Sequence, residues 1–349
     1  MYTNDDNEGP NAVDGYLVTG SSQTYLEPTP SGGSALTPAE IVPNIVMHPF
    51  KDILYASNSR MSSIAAMKIS RSTCQLTLLG DFPVGERSKL GQGLAVSPNG
   101  KWMFVSNTTV KEIYVFGILA DGSLTQRIQV VDLYGIPSGM TVSPDGASLI
   151  LEEGPSQLIL SYAINDSAGH ITLVSTISTA NYPYESIVDP SSKYVYVGDV
   201  DSEEQAYEEV EILKIGPRST LTYIANDTFP EGYGASGELL SADGKYLYVT
   251  NEDSASVTTF SVDGSDGSLT YVASASDGIA GEDHPTGSAA GQGGLFVFTV
   301  SEGQQNMIGI LKANKNGLLT SLGAFPAAPA DHRCGWWLER IRSALISSA

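Results

Sequence analysis

Three side chains of this 349-residue chain are of types that move protons or hold anions, and each falls where a loop enters a short strand. Glu185 is a candidate general base. His284, flanked by Glu282 and Asp283, is a candidate acid–base group whose pKa the neighbouring carboxylates would raise. Arg87 is a candidate for holding an anionic group. Each has a plainer alternative: a carboxylate bonded to backbone amides, an exposed loop histidine, and a surface arginine beside Lys89. Ser138, Tyr184, Ser236 and Glu238 are candidate ligand contacts, as are the strand-end residues Asp199, Asn251 and Glu252. Asp199 and Asn251, at the ends of equivalent strands, read first as caps of turn amides and only then as ligand contacts. His48, in the turn before Pro49, reads as structural, and His170, in an outer hairpin, has no claim on a site.

Other chemistries are excluded by spacing. Cys74 and Cys334 are the only cysteines and fit neither a zinc site nor a disulfide framework. The acidic run from Asp199 to Glu204, with Glu208 and Glu209, lacks the glycine-punctuated order of a calcium loop and reads as a solvated loop. No nucleophile-elbow phrase is present. No metal and no cofactor is expected.

The elements that position these residues repeat along the chain. One phrase, a small apolar strand, a Pro/Asp-Gly turn and an aromatic strand with a polar end, runs from Gly93 to Asn107. It returns at Gly139–Gly146, at Ser186–Asp199 and, most clearly, at Leu239–Asn251. Its polar end marks Asn4, Asn58, Asn107, Glu153, Asp199, Asn251 and about Val300, spaced by 54, 49, 46, 46, 52 and about 49 residues. A third, alternating strand follows, as in Ser256–Val262, then an Asp-Gly hairpin such as Asp266-Gly267, then a fourth strand. Seven units of four short strands predict an all-β, seven-bladed β-propeller with four-stranded antiparallel blades. The blades are expected at about 1–40, 41–84, 91–133, 137–179, 183–229, 234–276 and 284–326.

Blade 1 begins at its second strand, Met1 to Asn4, so its innermost strand is expected from elsewhere, and 327–349 is the available closure segment. From Trp336 to Ile346, however, the apolar spacing reads as a short amphipathic helix, which points to an atypical closure or an altered end. A formal charge of −21 argues against nucleic acid and favours a cation or a neutral sugar as ligand. No membrane span and no signal peptide at Met1 is expected. The location is then cytoplasmic, or periplasmic or secreted if an upstream signal was removed. A monomer is expected.

The phrases Tyr248-Val249-Thr250-Asn251, Ser143-Pro144-Asp145-Gly146 and Asp266-Gly267-Ser268-Leu269-Thr270 resemble those of the lactonase-type, YVTN-repeat propellers, over roughly residues 1–326. That superfamily includes propeller-type 6-phosphogluconolactonase and carboxy-muconate cyclase. The resemblance implies a central site at the entries of the innermost strands. The phosphogluconolactonase branch carries a Gly-Pro-Arg-His phrase that falls here on Gly234-Ala235-Ser236-Gly237, where only the glycine matches. Its Pro-His phrase falls on Pro183-Tyr184, while Asp199 and Asn251-Glu252 match its acidic positions. A lactone reaction needs a proton-moving group and a donor for the developing oxyanion. With the family's arginine and histidine replaced, the phosphorylated-lactone reaction is not expected to carry over. Two readings stand. One is a binding propeller for a small molecule or protein partner at the central face. The other is a divergent lactonase or cycloisomerase acting on a sugar lactone or muconolactone through Glu185, His284 and Arg87.

Overall fold

The repeated turn phrase folds by one set of hydrogen bonds in blades 3, 4 and 6. Ser97 Oγ donates to Asn99 Oδ1 at 2.8 Å and accepts the Trp102 N–H at 2.9 Å, while the Gly100 N–H closes on the Ser97 carbonyl. Ser143 with Asp145, Gly146 and Ser148 repeats this, as does Ser241 with Asp243, Gly244 and Tyr246. The turn glycines adopt φ of +71°, +74° and +69°, which is why the sequence keeps glycine there. His48 does the same work in blade 2. Its Nδ1 accepts the N–H groups of Phe50 and Lys51, and Nε2 meets the Gly100 carbonyl of blade 3 at 3.1 Å.

In the computed structural model, described over residues 1–4, 10–19, 22–34, 45–58, 61–85, 92–200, 208–229, 234–252, 254–279, 284–302 and 307–326, these units form seven antiparallel sheets. Six sheets have four strands in sequence order, and the first has three described strands, Tyr2–Asn4, Pro10–Thr19 and Ser22–Ser34. The first strands of blades 2 to 7 contact one another in succession and line the centre of the ring. The second strands are covered on both faces by neighbouring blades, so Ile53–Asn58 and Ser148–Glu153 are buried at every position. The fourth strands alternate with solvent, as in Ile171–Ser178.

Seven apolar clusters hold the blades, one at each seam. Tyr16 of blade 1 packs with Phe298, Val300, Ile308 and Ile310 of blade 7. Val13 of blade 1 packs with Ile45, Leu54, Ala65 and Met67 of blade 2. The ring is therefore packed at every seam, including both seams of blade 1. The proposed closure segment 327–349 lies outside the described residues.

Polar bonds sharpen this packing. Asn58 Oδ1 accepts from Asn11 Nδ2 at 3.0 Å and Ser31 Oγ at 2.5 Å, and Asn58 Nδ2 donates to the Ser31 carbonyl and to Asp81 Oδ1. This buried network ties blade 1 to blade 2. Between blades 5 and 6, the Tyr194 ring lies on Gly267, where φ is +83° and a Cβ would enter the ring. Tyr196 Oη donates to the Gly267 carbonyl at 3.1 Å.

Candidate functional site

The innermost strands enter the ring in two ways. In blades 5, 6 and 7, Tyr182–Val188, Ala235–Leu240 and His284–Gly291 each carry a one-residue bulge at the same place. Pro183 pairs with Asp199 and Glu185 with Gly198, leaving Tyr184 as the extra residue. Ala235 and Gly237 flank Ser236 in the same way, and Pro285 and Gly287 flank Thr286. The described pairs of the inner strands of blades 3 and 4 run without this bulge. A bulge twists the strand and re-aims the residues beside it, a frequent device next to binding sites. Three consecutive inner strands thus share a feature that those of blades 3 and 4 lack.

The residue after the bulge is Glu185 in blade 5 and glycine, Gly237 or Gly287, in blades 6 and 7. Blades 3 and 4 also place glycine at the matching position, Gly93 and Gly139. A Cβ on Gly139 would come within 2.6 Å of the Tyr184 carbonyl and 3.0 Å of Glu185 Cα, so blade 4 rests directly on the blade 5 bulge. Glu185 therefore places a half-buried carboxyl where those other blades have none.

The remaining candidates sort by environment. The Ser138 hydroxyl donates to the Pro183 carbonyl at 2.7 Å and accepts the Gly154 N–H at 3.1 Å, a link between blades 4 and 5. Tyr184, Ser236 and Glu238 are all buried. Glu238 Oε1 lies against Gly198 of blade 5, where any Cβ would strike it. Asn251 donates to the hydroxyls of Ser256 and Thr258 at 2.9 and 2.8 Å, and so serves the neighbouring strand rather than turn amides. The turn-capping role belongs instead to Asn107, whose Oδ1 accepts from the N–H groups of Thr109 and Val110. Asp199 is buried, diagonal to Glu211 of the adjacent strand. Glu252 is half-buried, with its N–H on the Gly234 carbonyl. His284 opens the inner strand of blade 7 with its backbone opposite Glu302, while its side chain and the whole of Arg87 lie outside the described residues.

Several buried acids escape a reading based on strand alternation. Glu152 and Glu153 are both fully buried because the two faces of their strand each meet another blade. Glu153 Oε1 accepts the Tyr134 N–H at 3.0 Å. Asp277, raised above the ordinary carboxyl pKa by burial, accepts from the Ile279 N–H and the Thr299 hydroxyl. Among the described residues no group of three or more His, Cys, Asp or Glu has a metal-holding arrangement, and no helix is long and apolar enough to cross a membrane.

A family profile for lactonases, described as a 7-bladed beta-propeller, matches residues 44–185 and 206–333. The periplasmic gluconolactonase of Pseudomonas aeruginosa superposes with a TM-score of 0.73 at 20% identity, over 93% of this chain and 95% of its own. A candidate 6-phosphogluconolactonase of Bacteroides fragilis gives 0.71 at 21%, over 93% of each chain. A protein of unknown function from Desulfotomaculum acetoxidans gives 0.70 at 10%, over 94% and 99%. At such identities these likenesses establish a common fold.

Proposed function

Since the chain belongs to the family of lactonases built as seven-bladed β-propellers, we propose that it binds a small neutral polyol or sugar lactone at its central face, over the bulged inner strands of blades 5 to 7. One observation carries the reading. Among the described residues, the inner strands of blades 2 to 7 contain two carboxylic acids, Glu185 and Glu238, and no arginine or lysine, with His284 as their single basic residue. A phosphorylated ligand placed there would meet carboxylates where it needs cations. Hydroxyl-rich neutral ligands suit the same groups, because a carboxylate accepts hydrogen bonds from sugar hydroxyls. This favours the substrate class named for the Pseudomonas neighbour over that named for the Bacteroides one.

A second reading, hydrolysis of that lactone, is supported by Glu185 alone. A half-buried carboxylate at a position held by glycine in blades 3, 4, 6 and 7 is placed to take a proton from an attacking water. The experiment is acid release from glucono-δ-lactone and from its 6-phosphate, with wild type and Glu185→Gln, measured against buffer. Turnover of the neutral lactone that disappears in the variant supports hydrolysis. Binding without turnover leaves the binding function, and preference for the phosphorylated lactone defeats the proposal.

A further inference from the structure

Blade 5 buries two neighbouring carboxyl groups on the face it turns to blade 4. Glu211, on the third strand Glu208–Ile215, is 3% exposed, and Asp199, at the end of the second strand Tyr194–Val200, is 1% exposed. Val197 pairs with Glu211 and Asp199 with Glu209, so Asp199 and Glu211 are diagonal neighbours on one face. The same face carries Val197 and Leu213, which pack on Ile150 and Ile159 of blade 4.

The Glu211 carboxyl lies beside that of Asp199, and the connector from blade 4 to the inner strand of blade 5 meets the same strand through Asn181, whose Nδ2 donates to Glu209 Oε2 at 3.5 Å. Glu211 Oε2 is buried with no hydrogen-bond partner among the described residues. Two carboxylates are acceptors only, so a hydrogen bond between two carboxyl groups requires one of them to be protonated. The surroundings reinforce this. Glu209 lies two residues away on the same face, and its charge opposes ionisation of Glu211. Tyr223, opposite Leu213 on the outer strand, feels the charges of Glu211, Glu209 and Asp199. Asn226, opposite Glu211, is neutral. Blade 4 presents Glu152 at this seam, close to the Tyr184 carbonyl, and the connecting strand adds Tyr182 and Tyr184. Lys214, the one base on the strands of blade 5, alternates to the opposite face and is exposed.

We propose that Asp199 and Glu211 share one proton and form a pH-dependent latch, holding this face of blade 5 against Ile150 and Ile159 of blade 4. With the proton in place, the two carboxyls bond to each other and the seam is closed. Once it leaves, two adjacent carboxylates, with Glu209 beside them, repel inside a buried seam. Burial, foremost, and the Glu209 charge push Glu211 up to about 7, so the latch releases within the neutral range. The inference does not depend on the ligand of the central face.

The sign follows from the raised pKa. Below the unfolded value of 4.5 the latch contributes in full, and its contribution is lost as pH rises toward the folded value. The experiment is thermal unfolding of wild type, Glu211→Gln and Asp199→Asn between about pH 4.5 and about pH 8. The expected result is a fall in the wild-type midpoint across that range, beyond the fall of Glu211→Gln, whose neutral amide can donate to Asp199 and does not titrate. Curves that run parallel across the range overturn the proposal. Should either variant fail to fold, carbon-13 NMR of wild type labelled at its glutamate carboxyls decides. One glutamate still protonated at about pH 6 supports the latch, and complete ionisation by about pH 5 overturns it.

Discussion

Replacing Asn58 by alanine tests how blade 1 is tied into the ring. The Asn58 side chain accepts from Asn11 Nδ2 and Ser31 Oγ and donates to the Ser31 carbonyl and Asp81. Alanine removes all four bonds and leaves groups of Asn11 and Ser31 buried at the seam between blades 1 and 2. An orphaned buried polar group costs about 1–3 kcal/mol, and these partners lie in one network, so the loss is about 3–5 kcal/mol rather than a simple sum. Asn107 is the internal control. It holds the matching position in blade 3 but caps its own turn through the N–H groups of Thr109 and Val110. Asn107→Ala is therefore expected to cost about 1–2 kcal/mol, as for the loss of a comparable cap. The assay is urea unfolding followed by tryptophan fluorescence and far-UV circular dichroism. Equal losses for the two variants, or a loss at Asn58 below about 1 kcal/mol, would refute the view that this asparagine clasps blade 1.

Other perturbations probe separate parts of the account. Gly267→Ala adds a methyl group against the Tyr194 ring at a φ of +83°, and should cost about 2–4 kcal/mol in urea unfolding. Tyr196→Phe removes the bond to the Gly267 carbonyl and should cost about 1 kcal/mol in the same assay. His48 is held below its ordinary pKa of 6.5, first by burial and then by Lys51. A depressed histidine gives stability that is complete above the unfolded value and is lost as pH falls through the folded one. Wild type should therefore show an acid-side fall in melting temperature that His48→Asn lacks. Asp277→Asn keeps an acceptor for the Ile279 N–H while removing a buried charge, so it should flatten the loss of stability that Asp277 contributes as pH rises.

The seven-fold architecture was legible because the residues that set it are local. Ser-Pro-Asp-Gly closes its own turn, and the polar end of each second strand recurs once per blade. The polar roles at those ends were less legible, since Asn58, Asn107, Asp199 and Asn251 occupy matching positions yet meet four different sets of neighbours. The bulges were countable in retrospect, since Pro183, Ala235 and Pro285 each precede the first residue of the next turn pair by the same interval. No residue type announces them. Glu211 follows Val210 in an alternating strand, and alternation assigns such a polar residue to solvent. In a propeller both faces of the inner three strands meet other blades, so the rule fails there, and it fails for Glu152 and Glu153 for the same reason. Arg87 and the His284 side chain lie outside the described residues, so the site reading rests on the inner strands.

Calorimetric titration with gluconate, glucono-δ-lactone and their 6-phosphates tests the central claim most directly. The account predicts binding of the neutral lactone by wild type, weakened about tenfold or more in Glu185→Gln, a loss of about 1.4 kcal/mol, and weaker binding of each phosphorylated compound. Tighter binding of the phosphorylated compounds, or neutral-lactone binding unchanged in Glu185→Gln, would contradict it.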